Sequence, residues 1–156
     1  LYYRQVVHEL NKVSTIGYTA FALCMALGRF FGDRLLQALG YSTVLKLNGI
    51  LVCIGMSLAL AVNTAEAVII GFALVGFGVS SVIPIVYMRS AKSKSMAPSA
   101  AIAAVSSIGF TGFLFGPPII GFIAKETGLR MALSIVAFLG MMIWLLSIRM
   151  KTDSVN

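Results

Sequence analysis

The chain has 156 residues, of which 59% are hydrophobic and only 11% charged, and its mean hydropathy is +0.97. A soluble domain carries roughly 25% charged residues to cover its surface, so this composition excludes an ordinary water-soluble domain and places the chain in a lipid bilayer. The net charge of +7 comes from 12 basic and 5 acidic residues. The basic residues stand in short clusters between apolar runs. That is the pattern of membrane-protein loops, not of a nucleic-acid interface, where base gathers on one solvated face.

Spanning helices need about 20 mostly apolar residues. Five stretches meet this: 13–34, 43–62, 67–88, 98–124 and 131–149. The expected fold is therefore all-α and transmembrane, one partial membrane domain over 1–156. Residues 1–12 would form an outer loop and 150–156 a cytoplasmic tail. The links are short: NTAE, RSAKSKSMA and KETGLR. Short links make consecutive helices antiparallel neighbours. Of the basic residues, Arg29, Arg34, Lys46, Arg89, Lys92, Lys94, Arg149 and Lys151 fall on one side, against Arg4, Lys12, Lys125 and Arg130 on the other. The richer side is read as cytoplasmic, which puts the C-terminus inside. The abrupt polar start at Leu1 and the odd number of spans lead us to expect a segment of a longer chain.

The first link contains GRFFGDRLLQALG, residues 28–40. Asp33 stands between Arg29 and Arg34, which balance its charge near lipid. Gly32 and Gly40 permit close backbone approach or a positive φ. The span that opens with Pro98 has Ala97 at its N-cap position, and alanine caps poorly. Asp33 is therefore expected to cap that start. The alternative is that Ser95 or Ser99 does so, with Asp33 solvated.

With Gly28, Arg29, Gly32, Asp33, Arg34 and Gly40 in this order, the stretch resembles the loop motif of the major facilitator superfamily, in the form found between helices 8 and 9. The resemblance implies that the five spans are helices 8 to 12. It further implies a conformational latch at these six residues, and a bacterial inner-membrane member of the sugar-permease or efflux-like kind. The family's loop usually continues with basic residues after its last glycine. Here Tyr41, Ser42 and Thr43 stand there instead.

The fourth span contains GFTGFLFGPPIIG. Gly112 and Gly116 are spaced for close helix packing. Pro117 and Pro118 each remove an amide, so with Gly121 they mark either a kink that serves packing or a flexing point. In the third span Ala73, Gly76, Ser80, Pro84 and Tyr87 share one helical face. Tyr18, Ser80, Ser81, Tyr87, Ser106 and Thr111 are the candidate cavity residues. No ionisable group lies in the middle of any span. The lone His8 and the separated Cys24 and Cys53 form no metal or catalytic constellation, so neither an enzyme nor a bound metal or cofactor is expected. The expected partners are the lipid bilayer, missing N-terminal helices of the same transporter, and a small-molecule substrate. The expected function is solute transport by alternating access, with no transport by this chain alone. The competing expectation is a non-transporting membrane scaffold or sensor.

Overall fold

A computed structural model describes residues 2–62, 64–93 and 95–149, with side chains from residue 15 onward. The described chain is helical, in the order α1 (Tyr2–Ala61), α2 (Ala65–Val79), α3 (Val82–Ala91), α4 (Pro98–Thr127) and α5 (Leu129–Ile148). Among the described residues, four stretches are long and apolar enough to cross a membrane: Thr15–Ala61, Ala65–Ala91, Pro98–Thr127 and Leu129–Ile148. The stretch expected as an outer loop, 1–12, is helical from Tyr2 and continuous with α1. The expected tail, 150–156, lies outside the described residues.

Five separate spans were expected, and the structure has four. The predicted spans 13–34 and 43–62 belong to one helix, because the link between them is itself helical. The single interruption is Gly40, at φ 77 and ψ 163. That backbone region is essentially restricted to glycine. Glycine there ends one helical limb and starts the next without a loop.

The two limbs of α1 flank α2. Along the first limb, Phe21 lies at Gly76, Gly28 at Ser80 and Gly32 at Ser81, so this limb and the α2–α3 stretch run in the same direction. Along the second limb, Asn48 and Val52 lie at Gly78, while Gly55 and Ala59 lie at Gly71. This pairing runs in the opposite direction, so Gly40 folds the chain back on itself. The glycines matter sterically. A Cβ at Gly76 would sit within van der Waals clash of the Phe21 backbone, and one at Gly55 would stand 2.7 Å from the Gly71 carbonyl oxygen.

The core follows these contacts. Leu36, Tyr41, Val44, Leu45 and Ile85 bury together around the fold-back, while Val52, Met56 and Val75 bury farther along the second limb. Helix α5 packs antiparallel to that limb, with Gly49 against the Gly140 carbonyl and the Trp144 backbone. At the far end two serines clasp. Ser42 donates to the Ser147 carbonyl at 3.0 Å, and Ser147 donates to the Ser42 carbonyl at 2.7 Å. Both serines are fully enclosed, at 0% and 1% exposure. The pair thus satisfies its polar groups where water is excluded.

The predicted span 67–88 is also interrupted. Pro84 has no amide to donate to the Ser80 carbonyl, and its ring crowds that oxygen. The chain answers with a turn at Ser80–Ser81, where Phe77 O accepts from both Ser80 N at 3.3 Å and Ser80 Oγ at 2.6 Å. By contrast α4 runs unbroken through Pro117 and Pro118. A methyl group at Gly112, Gly116 or Gly121 would touch nothing within 4 Å. The close packing expected at Gly112 and Gly116 is therefore not made among the described residues. Those glycines face open space because, among the described helices, α4 contacts α3 and α5 alone.

Two outcomes test this architecture by thermal unfolding in detergent. Gly40→Ala is expected to destabilise by about 1–3 kcal/mol, whereas Gly112→Ala, in an open helix interior, is expected to stabilise by up to about 1 kcal/mol. Ser42→Ala and Ser147→Ala are each expected to cost about 0.6–1.7 kcal/mol. Unchanged midpoints in both serine variants would show the clasp contributes nothing.

Candidate functional site

Two places gather the residues that the sequence singled out. The first lies where the first limb of α1 meets the break between α2 and α3. Gly28 and Gly32 are one helical turn apart, and each lets a serine in: Ser80 sits against Gly28, and Ser81 Oγ would be 2.5 Å from a Cβ on Gly32. The Ser80 and Ser81 hydroxyls are 3.4 Å apart. Beside them is a cavity of about 410 Å³ whose wall includes Arg29, Asp33, Leu36, Ile83 and Pro84. Ser80 and Ser81 are buried, at 2% and 9% exposure, and Arg29, Asp33 and Arg34 are exposed.

Asp33 does not reach the helix start assigned to it. No Cα of α1 lies within 8 Å of a Cα of α4, farther than an aspartate and one hydrogen bond can bridge. Among the described residues the start of α4 has no side-chain cap, from Ser95, Ser99 or any other residue. The helix start that shares a cavity with Asp33 is that of α3, where Ser81 occupies the N-cap position without a side-chain cap bond. The expected cap at Pro98 is not made, and the uncapped start beside Asp33 belongs to a different helix. Pro84 creates that start inside a predicted span, which sequence periodicity alone does not display.

The second place is the seam between α3 and α4. Tyr87 and Ser106 meet there, with their hydroxyl oxygens 3.3 Å apart, and Ser106 also donates to the Ile102 carbonyl at 2.8 Å. They border a cavity of about 360 Å³ with Ile83, Gly109, Phe110 and Phe113. A second cavity of about 560 Å³ continues along the seam and shares Val86 and Val105 with the first. Its wall carries Arg89, Ser90 and Lys92. The seam thus changes from apolar and aromatic at one end to basic at the other.

The remaining candidates are not drawn in. Tyr18 is 71% exposed, and Thr111 is exposed with its hydroxyl bonded to the Ser107 carbonyl of its own helix. Ser80 and Ser81 join the first cavity, not the seam. The turn after Val79 separates them from Tyr87, so the single face predicted for Ala73, Gly76, Ser80, Pro84 and Tyr87 is divided, with Ser80 and Pro84 at the first cavity and Tyr87 at the seam. Among the described residues, no group of three or more His, Cys, Asp and Glu residues is placed to hold a metal ion.

Three residues acquire roles that the sequence reading missed. Asn48 is 3% exposed, and its Nδ2 has no hydrogen-bond partner among the described residues. Tyr41 is 5% exposed and lies under Lys92, with Nζ 5.4 Å from the ring centre. Ser42 is taken up by the clasp. The stretch after Gly40, where a basic run was the family pattern, is thus buried packing, and α3 supplies the cation to it.

Comparison with known proteins agrees with the motif. Residues 5–155 match the family model described as Major Facilitator Superfamily. The chain is 36% identical over 143 residues to a protein named Membrane protein MosC from Rhizobium meliloti, covering 92% of this chain and 35% of that one. It is 41% identical over 124 residues to an uncharacterized MFS-type transporter of Yersinia pestis, covering 80% and 32% respectively. An uncharacterized transporter of Sinorhizobium fredii is 27% identical over 147 residues, covering 94% and 39%. The chain therefore spans about a third of the length of the curated relatives it matches. No solved structure matches. On the family match and these identities, the chain is an integral membrane protein that belongs to the Major Facilitator Superfamily.

Proposed function

We propose that this chain is the C-terminal part of a secondary transporter that moves a small solute by alternating access, and that the α3–α4 seam is its contribution to the solute path. The observation that carries this is the meeting of Tyr87 and Ser106 across a cavity, in a chain of a transporter family. Transporters of this kind hold solute between two structural repeats. On this reading, residues 1–156 alone offer half a site and transport nothing, and missing N-terminal helices of the same transporter supply the rest.

The same reading has α1 crossing the membrane twice, bent at Gly40, which gives five crossings in all. The opposite directions in which its limbs pass α2 support this. Thr15–Ala61 holds 47 residues, about 70 Å of helix at 1.5 Å per residue, against a hydrocarbon core of about 30 Å. The membrane is read as a bacterial inner membrane from the family resemblance, and the C-terminus as cytoplasmic from the distribution of Lys and Arg. Gly28, Arg29, Gly32, Asp33, Arg34 and Gly40 then act as a latch at the cytoplasmic end of the first limb. Their glycines seat the limb on the Ser80–Ser81 break, and Asp33 faces the start of α3. The Gly112–Gly121 segment with Pro117 and Pro118 is the flexing part of α4.

Topology is checked by single cysteines placed on a background of Cys24→Ala and Cys53→Ala, with a membrane-impermeant maleimide applied to intact cells and to lysates. Gln37→Cys and Ser95→Cys are expected to label only after lysis, and Val62→Cys and Thr127→Cys in intact cells. Labelling of Gln37→Cys and Val62→Cys from the same side would refute a crossing between them. Proteoliposomes holding residues 1–156 alone are expected to show no counterflow of any solute that the full-length protein carries.

A further inference from the structure

We infer that the α3–α4 cavity binds an uncharged aromatic solute that carries a hydroxyl group. This rests on the transport reading and names the class of solute for the same site. Three rings face the space, from Tyr87, Phe110 and Phe113. Gly109 stands in the same wall and a methyl group there would meet nothing within 4 Å, so a flat ring can lie against the helix backbone. The volume of about 360 Å³ falls in the range of about 300–1,000 Å³ typical of small-molecule sites.

Charge is disfavoured here. None of the residues lining this cavity carries a charge, and the nearest cations on the seam, Arg89 and Lys92, line the neighbouring cavity beyond Val86 and Val105. An anion in the aromatic part would lose its hydration without gaining a partner, and a cation would meet ring faces but no carboxylate to balance it. The hydroxyl follows from Tyr87 and Ser106. With the Ser106 hydrogen on the Ile102 carbonyl, the Tyr87 oxygen stays open as an acceptor toward the cavity, and the Tyr87 hydrogen can turn to Ser106 or outward as a donor. A solute hydroxyl can donate and accept in turn. A lipid acyl chain can do neither, and it would leave the open side of the Tyr87 hydroxyl without a partner.

The test uses the full-length protein in phosphatidylcholine nanodiscs, photolabelled with a phenyl-trifluoromethyl-diazirine that bears a hydroxymethyl group, and mapped by mass spectrometry. Labelling is expected to be saturable and confined to peptides containing Tyr87, Phe110 and Phe113. 2-Naphthol is expected to compete about tenfold better than naphthalene, the worth of one hydrogen bond, and naphthalene-2-sulfonate and 1-naphthylmethylammonium least. Gly109→Trp should abolish saturable labelling by filling the space. Tyr87→Phe should remove the advantage of naphthol and leave naphthalene unchanged, a split that mere misfolding would not produce. Non-saturable labelling along Ile108, Leu114 and Phe122, unaltered by Gly109→Trp, would show a lipid-filled groove and overturn the inference. Charged competitors matching naphthol would overturn it as well. The transport reading fails separately: Tyr87-dependent labelling together with a full-length protein that moves no hydroxylated aromatic would leave the binding site standing and remove the transport.

Discussion

The structure depends on how closely helix backbones can approach one another. Lipid offers no hydrophobic drive between apolar helices, so association relies on dispersion and tight packing. Here α2 is held between two limbs of one long helix, and glycine stands at nearly every crossing: Gly28, Gly32 and Gly76 on one side, Gly55, Gly71 and Gly78 on the other. Gly49 and Gly140 extend the arrangement to α5. Each lets a neighbouring backbone or serine occupy the space of a Cβ, which brings more atoms into van der Waals range. Gly40 makes this geometry available, because its positive φ returns the chain along α2 without a loop.

Two consequences follow at the α2–α3 break. Pro84 interrupts the helix where Gly28 and Gly32 permit close approach, so Ser80 and Ser81 are buried against the first limb, and the start of α3 opens toward Asp33. Beyond the break, one face of α3 stays in the core through Ile85 while the other meets α4. Tyr87 belongs to that second environment, with an aromatic cavity in place of a glycine contact. A single proline thus separates a packing surface from a candidate solute surface on one predicted span.

The motif at 28–40 shows how reading residues and reading structure divide the work. Its glycines, arginines and aspartate were legible as a unit, and the family match spans the stretch that holds it. The partner of Asp33 was not legible. The uncapped start at Pro98 is visible in the sequence because Ala97 precedes a proline. The uncapped start at Val82 is marked in sequence only by Ser80, Ser81 and Pro84 inside a run apolar enough to be read as one span. Likewise Tyr41-Ser42-Thr43 departs from the family's basic run for a reason that only packing supplies: Tyr41 lies beneath Lys92 and Ser42 clasps Ser147. Partners distant in sequence leave no local trace.

Composition alone determined that this chain lives in a bilayer, since 11% charged residues cannot cover a soluble surface. Apolar run lengths determined that it is helical, and short links determined that helices at Pro98 and Leu129 are separate. Tertiary structure decided the rest. It joined two predicted spans through a helical link at Gly40 and divided another at Ser80–Ser81. It chose Gly28, Gly55 and Gly76 over Gly112 and Gly116 as the packing glycines, and brought Tyr87 and Ser106 together while leaving Tyr18 and Thr111 apart. The physical reason is that hydropathy reports the solvent of a segment. Which face of that segment meets which neighbour is set by steric fit between surfaces that are equally apolar.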